Sequence, residues 1–284
     1  MNKELQIIKK ALPRYLKQGN YRFYFHESLD KSINHESSFF ETINKNTVRT
    51  LKKKPRRSVS EITLPGQNNY YVLKRYSFCD SKGKQLYRHK EYALDETARM
   101  IEAYDNGVPC PKVFAFGERR KYGLCKENFI IMESNNNAVH PLQEIKKDSA
   151  SKAISNEEVL SRCKNLFLKL YEGRCNHVDM ASGQTLLNTE DPSLDMFIDF
   201  QYAVTMDKKN LSVLMFQLSR FSWSLYPHID KDTLKEWSDD VIRSAKNNIS
   251  TLEMQNLEKL YFSAFKKGSP KTKVKMNMGN KSIY

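Results

Sequence analysis

The chain has 284 residues, with 47 Lys or Arg against 33 Asp or Glu, which gives a net charge of +14 and a pI of about 9.4. This excess indicates an anionic partner, whether nucleic acid, an anionic membrane face or a phosphorylated glycolipid. No apolar run of about 18 residues is present, so the sequence predicts no membrane-spanning helix. Five scattered cysteines without a C-x-x-C pair argue against a disulfide framework or a zinc site, and favour free thiols in a reducing cytoplasm.

Residues 1–45 are polar and basic, and we interpret them as a basic N-terminal extension. They contain no continuous apolar core of the kind found in a signal peptide. Apolar residues from Leu5 to Leu16 fall on one face of a short amphipathic helix. Two interpretations stay open for this helix. It lies on an anionic membrane surface, or it packs on the domain.

The sequence pattern over residues 46–134 predicts a small antiparallel sheet. Three strands are indicated, over 48–51, 59–64 and 70–76, with a Pro65-Gly66 turn before the third. The third strand carries Lys74 after an apolar pair. This arrangement is typical of the nucleotide-binding lobe of kinases, where the lysine binds phosphates. The alternative is that Lys74 lies on the solvated face of an edge strand.

The turn between the first two predicted strands, Lys52 to Arg57, is basic and contains no glycine. Protein kinases place glycines at this turn, which covers the nucleotide phosphates. Side chains of this turn either contact phosphate directly or form an ordinary solvated run of charge. The sequence does not choose between these two interpretations.

A helix is predicted over 88–106, ended by Gly107. A kinase-like lysine needs a carboxylate partner on this helix, and Glu96 is the first candidate, with Glu91 the second. A short strand follows over 113–117. A buried strand then ends at Glu133, where kinase-like proteins hinge and backbone groups meet an adenine ring.

Residues 135–265 are mainly helical in prediction. Ser155 and Gly173 bound the strongest helix, whose apolar stripe we assign to the core. Further helices are predicted over 211–225, 231–245 and 251–265. The basic, low-complexity segment 266–284 is predicted to be disordered.

The segment 174–204 carries the strongest chemical signal. An Asn-His-Val-Asp turn ends at Asp179, and two short strands follow, the second running directly into Asp199. Pairing of these strands sets the two carboxylates near one another. In kinase-like enzymes, one such carboxylate accepts a proton from the attacking hydroxyl and the other holds Mg²⁺ against the phosphates. The order His-x-Asp then Asp-Phe, twenty residues apart, is typical of these enzymes.

Six segments in this order resemble the lipopolysaccharide kinase family, the bacterial enzymes that phosphorylate heptose or Kdo sugars of the inner core. The matching segments are Tyr71-Val-Leu-Lys74, Glu96 with Gly107-Val-Pro109, Val113-Phe-Ala-Phe-Gly117, Phe129-Ile-Ile-Met-Glu133, Gly173-Arg-Cys-Asn-His-Val-Asp179 and Ile198-Asp199-Phe200-Gln201. The resemblance covers roughly residues 46 to 225. It implies an α+β, protein-kinase-like two-lobed fold, with a small antiparallel-sheet N-lobe over 46–134 and a mainly helical C-lobe over 135–265.

The resemblance also implies an activity, cofactors and partners. Phosphoryl transfer from ATP with Mg²⁺ would act on a sugar hydroxyl of the lipopolysaccharide core, with the enzyme peripheral at the cytoplasmic membrane face. No nucleic acid partner is expected. The implied roles are Asp179 as catalytic base, Asp199 and Gln184 as metal ligands, and Lys74, Glu96 and Glu133 at the nucleotide.

Two residues depart from the common kinase pattern. Val178 stands where many kinases have arginine, and Gln184 where they have the metal-binding asparagine. The Gln184 carbonyl still has the chemistry of a Mg²⁺ ligand, one methylene further from the backbone. Two alternatives therefore stay open: another small-molecule or protein kinase of the same fold, or a non-catalytic basic binding module.

Overall fold

The computed structural model describes residues 2–33, 43, 45–54, 56–78, 92–122 and 124–265. The chain forms two compact units, the first comprising Met1–Glu102 and Pro111–Asn136, the second Ala103–Cys110 and Asn137–Tyr284. The candidate residue Glu91, the cysteine Cys79 and the predicted tail 266–284 lie outside the described residues.

The first unit is built on an antiparallel sheet, seven strands of which are described, in the order β1-β2-β6-β7-β5-β4-β3. The strands are β1 Arg14–Gln18, β2 Tyr21–Phe25, β3 Thr47–Lys54, β4 Arg57–Thr63, β5 Tyr70–Ser77, β6 Val113–Lys121 and β7 Leu124–Glu133. The helices are α1 Lys3–Ala11, α2 Asp30–Ile33 and α3 Tyr92–Asp105. Gly107, with φ +76°, follows α3, as predicted for a helix end.

The N-terminal segment is not an appended extension, contrary to the interpretation of residues 1–45. Its strand β2 pairs with β6 along its whole length, with Phe23 opposite Gly117. The alternation of Tyr21, Phe23 and Phe25 places aromatic rings on one face of the sheet, and Phe23 is fully buried. Burial of this face explains why the segment folds into the sheet despite its many charges.

The predicted N-terminal helix is shorter than its apolar pattern suggested. Helix α1 ends at Ala11, and Leu16 belongs to β1. Ile8 and Leu12 are fully buried within the first unit. These contacts favour the packing interpretation of the helix over the membrane interpretation.

The basic turn is also shorter than predicted. Lys52, Lys53 and Lys54 are the last residues of β3, and Arg57 is the first residue of β4. β3 lies at the edge of the described sheet, and all of its residues are exposed.

The second unit combines helices with three short strand pairings. Its helices are α4 Pro141–Ile145, α5 Asn156–Glu172, α6 Leu211–Leu225, α7 Lys231–Ala245 and α8 Thr251–Ala264, and its strands are β8 Ala138–Val139, β9 Cys175–Asn176, β10 Thr185–Asn188, β11 Met196–Phe197 and β12 Val204–Thr205. β10 pairs with β8 and β11, and β9 pairs with β12. None of the helices in the described ranges combines the length and the apolar composition needed to cross a bilayer.

Helix α5 is the centre of the second unit's core. Ser155 caps it, because its hydroxyl accepts the amide of Glu158 at 3.1 Å, and the helix ends before Gly173 as predicted. Phe167 makes edge-on contacts with Phe197 and Phe221, with ring centroids 5.5 and 5.2 Å apart. The apolar stripe of α5 is therefore core, and it fixes β11 just before Asp199.

Candidate active site

Lys74 and Glu96 form a buried ion pair in the first unit. The ammonium of Lys74 on β5 contacts Oε1 of Glu96 on α3, and the two residues are 3% and 1% exposed. β5 lies between β4 and β7, so Lys74 is not on the solvated face of an edge strand. The structure thus pairs the two residues that the sequence proposed as partners.

A third residue, Tyr76, also binds this buried ion pair, and the sequence did not indicate its role. Its hydroxyl donates to Oε2 of Glu96 at 2.5 Å, and the Lys74 ammonium lies 5.6 Å from its ring centroid. Tyr76 follows Lys74 by two positions on β5, so both side chains are on one face of the strand. A buried carboxylate with both oxygens engaged holds its orientation, and here that orientation is toward the lysine.

Glu133 ends β7, as predicted, but its carboxylate is engaged with the backbone. Oε2 accepts the amide of Lys112 at 3.1 Å, and the Glu133 amide donates to the Lys112 carbonyl at 2.9 Å. In the sheet Glu133 lies opposite Tyr71, three positions from Lys74 along β5. A nucleotide-binding role for Glu133 stays a prediction, and its side chain serves to join the ends of β6 and β7.

In the second unit, His177 and Gln184 both bind the backbone of Ile198. The Ile198 amide donates to the main-chain carbonyl of Gln184 at 2.9 Å, and the Ile198 carbonyl lies 2.9 Å from Nε2 of His177. Since a carbonyl only accepts, Nε2 carries the proton in this contact. The His177 ring also packs edge-on against Phe200, with centroids 4.9 Å apart. The loop that carries Asp179 is therefore hydrogen-bonded to both the amide and the carbonyl of Ile198, the residue that precedes Asp199.

The surroundings of His177 act on its pKa in opposite directions. Burial lowers the pKa and has the larger effect, while the hydrogen bond to Ile198 and the negative charges of Asp199 and Asp179 raise it. β10 and β11 pair as predicted. The expected proximity of Asp179 and Asp199 stays a prediction.

Asp199 adopts a left-handed backbone conformation, with φ 68° and ψ 58°. Such values are uncommon outside glycine, and they cluster at functional sites. Phe197 and Phe200 are buried on either side, whereas Asp199 itself is partly exposed. The turn thus leaves one accessible carboxylate between two core aromatic residues.

These residues fit a Mg²⁺ ion that is carried by a nucleotide. Among the described residues, no group of three or more His, Cys, Asp and Glu side chains is placed to hold a metal alone. Nucleotide-bound Mg²⁺ needs only one or two carboxylates, because phosphates and water complete its octahedron. Asp199 and Gln184 are both partly exposed, and the main-chain carbonyl of Gln184 accepts the amide of Ile198, the residue before Asp199.

Arg162 and Asp195 form a second buried ion pair, which the sequence analysis missed. Arg162 on α5 donates through Nε to Oδ2 of Asp195 at 2.8 Å, and its second prong contacts Oδ1. It also donates to the carbonyl of Asn188 at 2.6 Å. The i,i+4 pattern of α5 places Arg162 beside the apolar stripe, but no sequence signal names its partner 33 residues away.

Helix α6 supports the loop that carries Asp179. Gln217 donates to the Cys175 carbonyl at 3.4 Å and to Oδ1 of Asn176 at 3.3 Å, and the Ser182 amide donates to the Ser224 hydroxyl at 2.7 Å. These contacts hold the loop before and after Asp179. The sequence predicted α6 as a helix but did not indicate its contacts with this loop.

Arg220 lies on the same helix between these two anchors, and the predicted base acts on it electrostatically. Burial lowers the pKa of Arg220, and the carboxylate of Asp179 acts in the opposite direction. The side chain is neither fully buried nor exposed.

The fold and the two charged sites define the class of this protein as a protein-kinase-like α+β protein with two lobes, which confirms the predicted fold. No family model matches the chain, and no curated protein matches it by sequence.

Among solved structures, the chain is similar to WaaP in complex with acyl carrier protein, with a TM-score of 0.55 and 15% identity, over 86% of this chain and 100% of that one. The autoinhibited serine kinase domain of the giant muscle protein titin also matches, with a TM-score of 0.49 and 12% identity, over 78% of this chain and 75% of that one. The match to WaaP agrees with the resemblance to lipopolysaccharide kinases at the level of the fold.

Proposed function

We propose that the protein is an ATP-dependent kinase that phosphorylates a sugar hydroxyl, of heptose or Kdo, in the lipopolysaccharide inner core. The observation that carries this proposal is the contact of His177 and Gln184 with the two sides of Ile198. This contact attaches the loop that carries Asp179 to the residue before Asp199, and both carboxylates act electrostatically on the buried imidazole of His177. Two carboxylates in this relation suit phosphoryl transfer, which needs one proton acceptor and one metal ligand.

In this proposal Asp179 is the catalytic base. Its carboxylate accepts the proton of the acceptor hydroxyl as the oxygen attacks the γ-phosphorus of ATP, and the bond to the β,γ-bridging oxygen breaks to release ADP. His177 has no role in proton transfer in this proposal, because its ring is buried away from solvent and its Nε2 proton is held by the Ile198 carbonyl. Its role is to fix the loop that carries Asp179.

Asp199 and Gln184 would hold Mg²⁺, which supplies charge neutralisation on the phosphates. The carboxylate of Asp199 is the stronger ligand, and the amide oxygen of Gln184 is neutral. Lys74 would bind phosphate oxygens, and Glu96 with Tyr76 would orient its ammonium. The backbone at the end of β7, at Glu133, would bind the adenine.

The acceptor and the location follow from the charge. A net charge of +14 suits a polyanionic glycolipid at a membrane surface, where each Lys or Arg close to an anionic leaflet contributes about 1 kcal/mol of attraction. We therefore place the enzyme at the cytoplasmic face of the membrane, as a peripheral protein.

The test is transfer of labelled phosphate from Mg·ATP to purified dephosphorylated core lipopolysaccharide. Wild type is compared with Asp179→Asn, which keeps the shape of the side chain but removes the base, and we expect roughly a 10²- to 10⁴-fold loss of rate. The matched control is Asp240→Asn, which removes one surface carboxylate paired with Lys164. This control should retain the wild-type rate, because surface ion pairs contribute little.

Three results would revise the proposal differently. Mg·ATP binding without transfer to the glycolipid would retain the kinase and reject the acceptor. Equal rates for wild type and Asp179→Asn would reject Asp179 as the base. Failure to bind Mg·ATP, together with tight, salt-sensitive binding to nucleic acid, would favour the non-catalytic binding module.

A further inference from the structure

Helix α6 presents one continuous face to the loop of Asp179. Gln217 and Ser224 are seven residues apart, which is two helical turns, and both contact this loop. Arg220 is three residues after Gln217 and four before Ser224. Residues at these spacings share one stripe of a helix. Arg220 therefore faces the part of the loop between the two anchors, where Asp179 lies.

We propose that Arg220 is a positioning residue for Asp179: a fixed cation on α6 that holds the carboxylate of the base in one orientation. The proposal rests on the proposed function only in that Asp179 acts as the base. It does not depend on the identity of the acceptor. The position of Arg220 on the anchored stripe carries it, and the electrostatic interaction of Arg220 with Asp179 supports it.

The surroundings of Arg220 suit this role. Its neighbours along α6, Ser219 and Phe221, are fully buried, so the helix beneath it is a rigid part of the core. The partial burial of Arg220 itself reduces screening of its charge by salt. A guanidinium is planar and presents its donors in a fixed fork, so it restrains a carboxylate in direction as well as in distance.

Two attachments of the loop to α6 are made through backbone atoms of the loop. The Ser182 amide donates to Ser224, and the Cys175 carbonyl accepts from Gln217. A cation fixed on the same helix would add a restraint on the carboxylate of Asp179 itself, and a base that is oriented before the acceptor arrives has a smaller entropic barrier.

The test is a double-mutant cycle of Arg220→Gln and Asp179→Asn, measured under single-turnover conditions. The readouts are transfer to the core glycolipid and intrinsic ATP hydrolysis, in which water is the acceptor. We expect Arg220→Gln to lower the rate roughly 10- to 100-fold in the wild-type background and to have no further effect with Asp179→Asn. Mg·ATP affinity should not change in either background.

Two variants separate positioning from folding. Arg220→Lys keeps the charge and should recover part of the lost rate. Arg243→Gln removes one exposed cation from α7 and should match wild type in every readout. Thermal unfolding of each variant shows whether a lost rate reflects a lost fold.

The outcomes decide between the two proposals. A wild-type rate for Arg220→Gln, or an equal loss in both backgrounds of the cycle, would overturn the positioning role. Hydrolysis without transfer to the glycolipid would reject the acceptor alone, and the cycle would still test Arg220 through hydrolysis. The absence of both reactions in wild type, with Mg·ATP bound, would overturn Asp179 as the base and Arg220 with it.

Discussion

Arg162 and Asp195 join helix α5 to the turn of the hairpin that leads to Asp199. Both are less than a tenth exposed, and the network closes on the backbone, because Arg162 donates to the Asn188 carbonyl while Asp195 accepts the Asn188 amide at 2.9 Å. The ion pair thus fixes the hairpin at its turn, and the hydrogen bonds of Ile198 fix it at the end next to Asp199. The proposed metal site thus depends on Arg162, a residue of the core.

Replacement of Arg162 by Met should lower the free energy of unfolding by about 3–5 kcal/mol, because Asp195 would remain buried without its partner. Urea denaturation followed by circular dichroism measures this change. The control is Lys246→Met, which breaks an exposed pair with Glu253 and should cost no more than about 1 kcal/mol. Similar losses in the two variants would contradict a special role for the buried pair.

The surroundings of Gly173 leave no room for a side chain at this position. A Cβ built there would lie 2.4 Å from Cγ2 of Val108 and 3.0 Å from the carbonyl oxygen of Asn106. Gly173→Ala should therefore destabilise the protein by about 1–3 kcal/mol through overpacking. Gly183→Ala is the matched control, since its Cβ would meet no atom within 4 Å. Chemical denaturation of the two variants should differ, and equal stability would show that the chain relaxes freely around residue 173.

Tyr76→Phe tests the support of the buried ion pair. The variant keeps the ring and removes the hydroxyl that binds Oε2 of Glu96. We expect a loss of about 1–3 kcal/mol in the free energy of unfolding, because a buried acceptor loses a donor. Mg·ATP affinity should fall as well, since Lys74 loses its fixed orientation. Tyr122→Phe, at a residue 90% exposed, should change neither quantity.

The buried cysteines should react slowly with thiol reagents. Burial raises the pKa of Cys175 to about 12 and raises the pKa of Cys163 as well, so neither forms a thiolate near neutral pH. Cys125 is only partly buried. Peptide mapping after iodoacetamide treatment at pH 8 should find Cys125 modified before Cys163 and Cys175. Early modification of Cys175 would indicate local opening of the loop that precedes Asp179.

His177 should make the fold sensitive to acid. Its pKa is lowered by burial, so below neutral pH the unfolded chain binds more proton at this residue than the folded chain does. Stability is therefore lost as the pH falls through the usual range of histidine, near 6.5. The loss between pH 7 and pH 5 should be smaller in His177→Asn than in wild type. His228→Asn, at an exposed position, should keep the wild-type pH profile.

Local signals predicted much of the fold. Ser155 and Gly173 bounded α5 correctly, and the two short strands predicted between Asp179 and Asp199 form a hairpin in the structure. Capping and short-range spacing are properties of neighbouring residues, so they are readable from the sequence.

The sequence did not indicate which residues interact when they are far apart along the chain. Asp195 and Arg220 acquire their partners through the fold, and nothing in the residues beside them indicates those partners. The strands β1 and β2 were missed because residues 1–45 were interpreted from their polar and basic composition, although four of the five residues of β2 are aromatic. Burial of one face in a sheet decides such cases, and it depends on strands far along the chain.

The basic hairpin of β3 and β4 has a further effect on how copies of this chain meet. An edge strand exposed along its whole length offers a row of backbone groups to which another strand can add. Here that row ends in Lys52, Lys53 and Lys54, and lysines on an edge strand disfavour the addition of a second strand. The charge that we propose attracts an anionic partner would thus also disfavour self-association through this exposed strand.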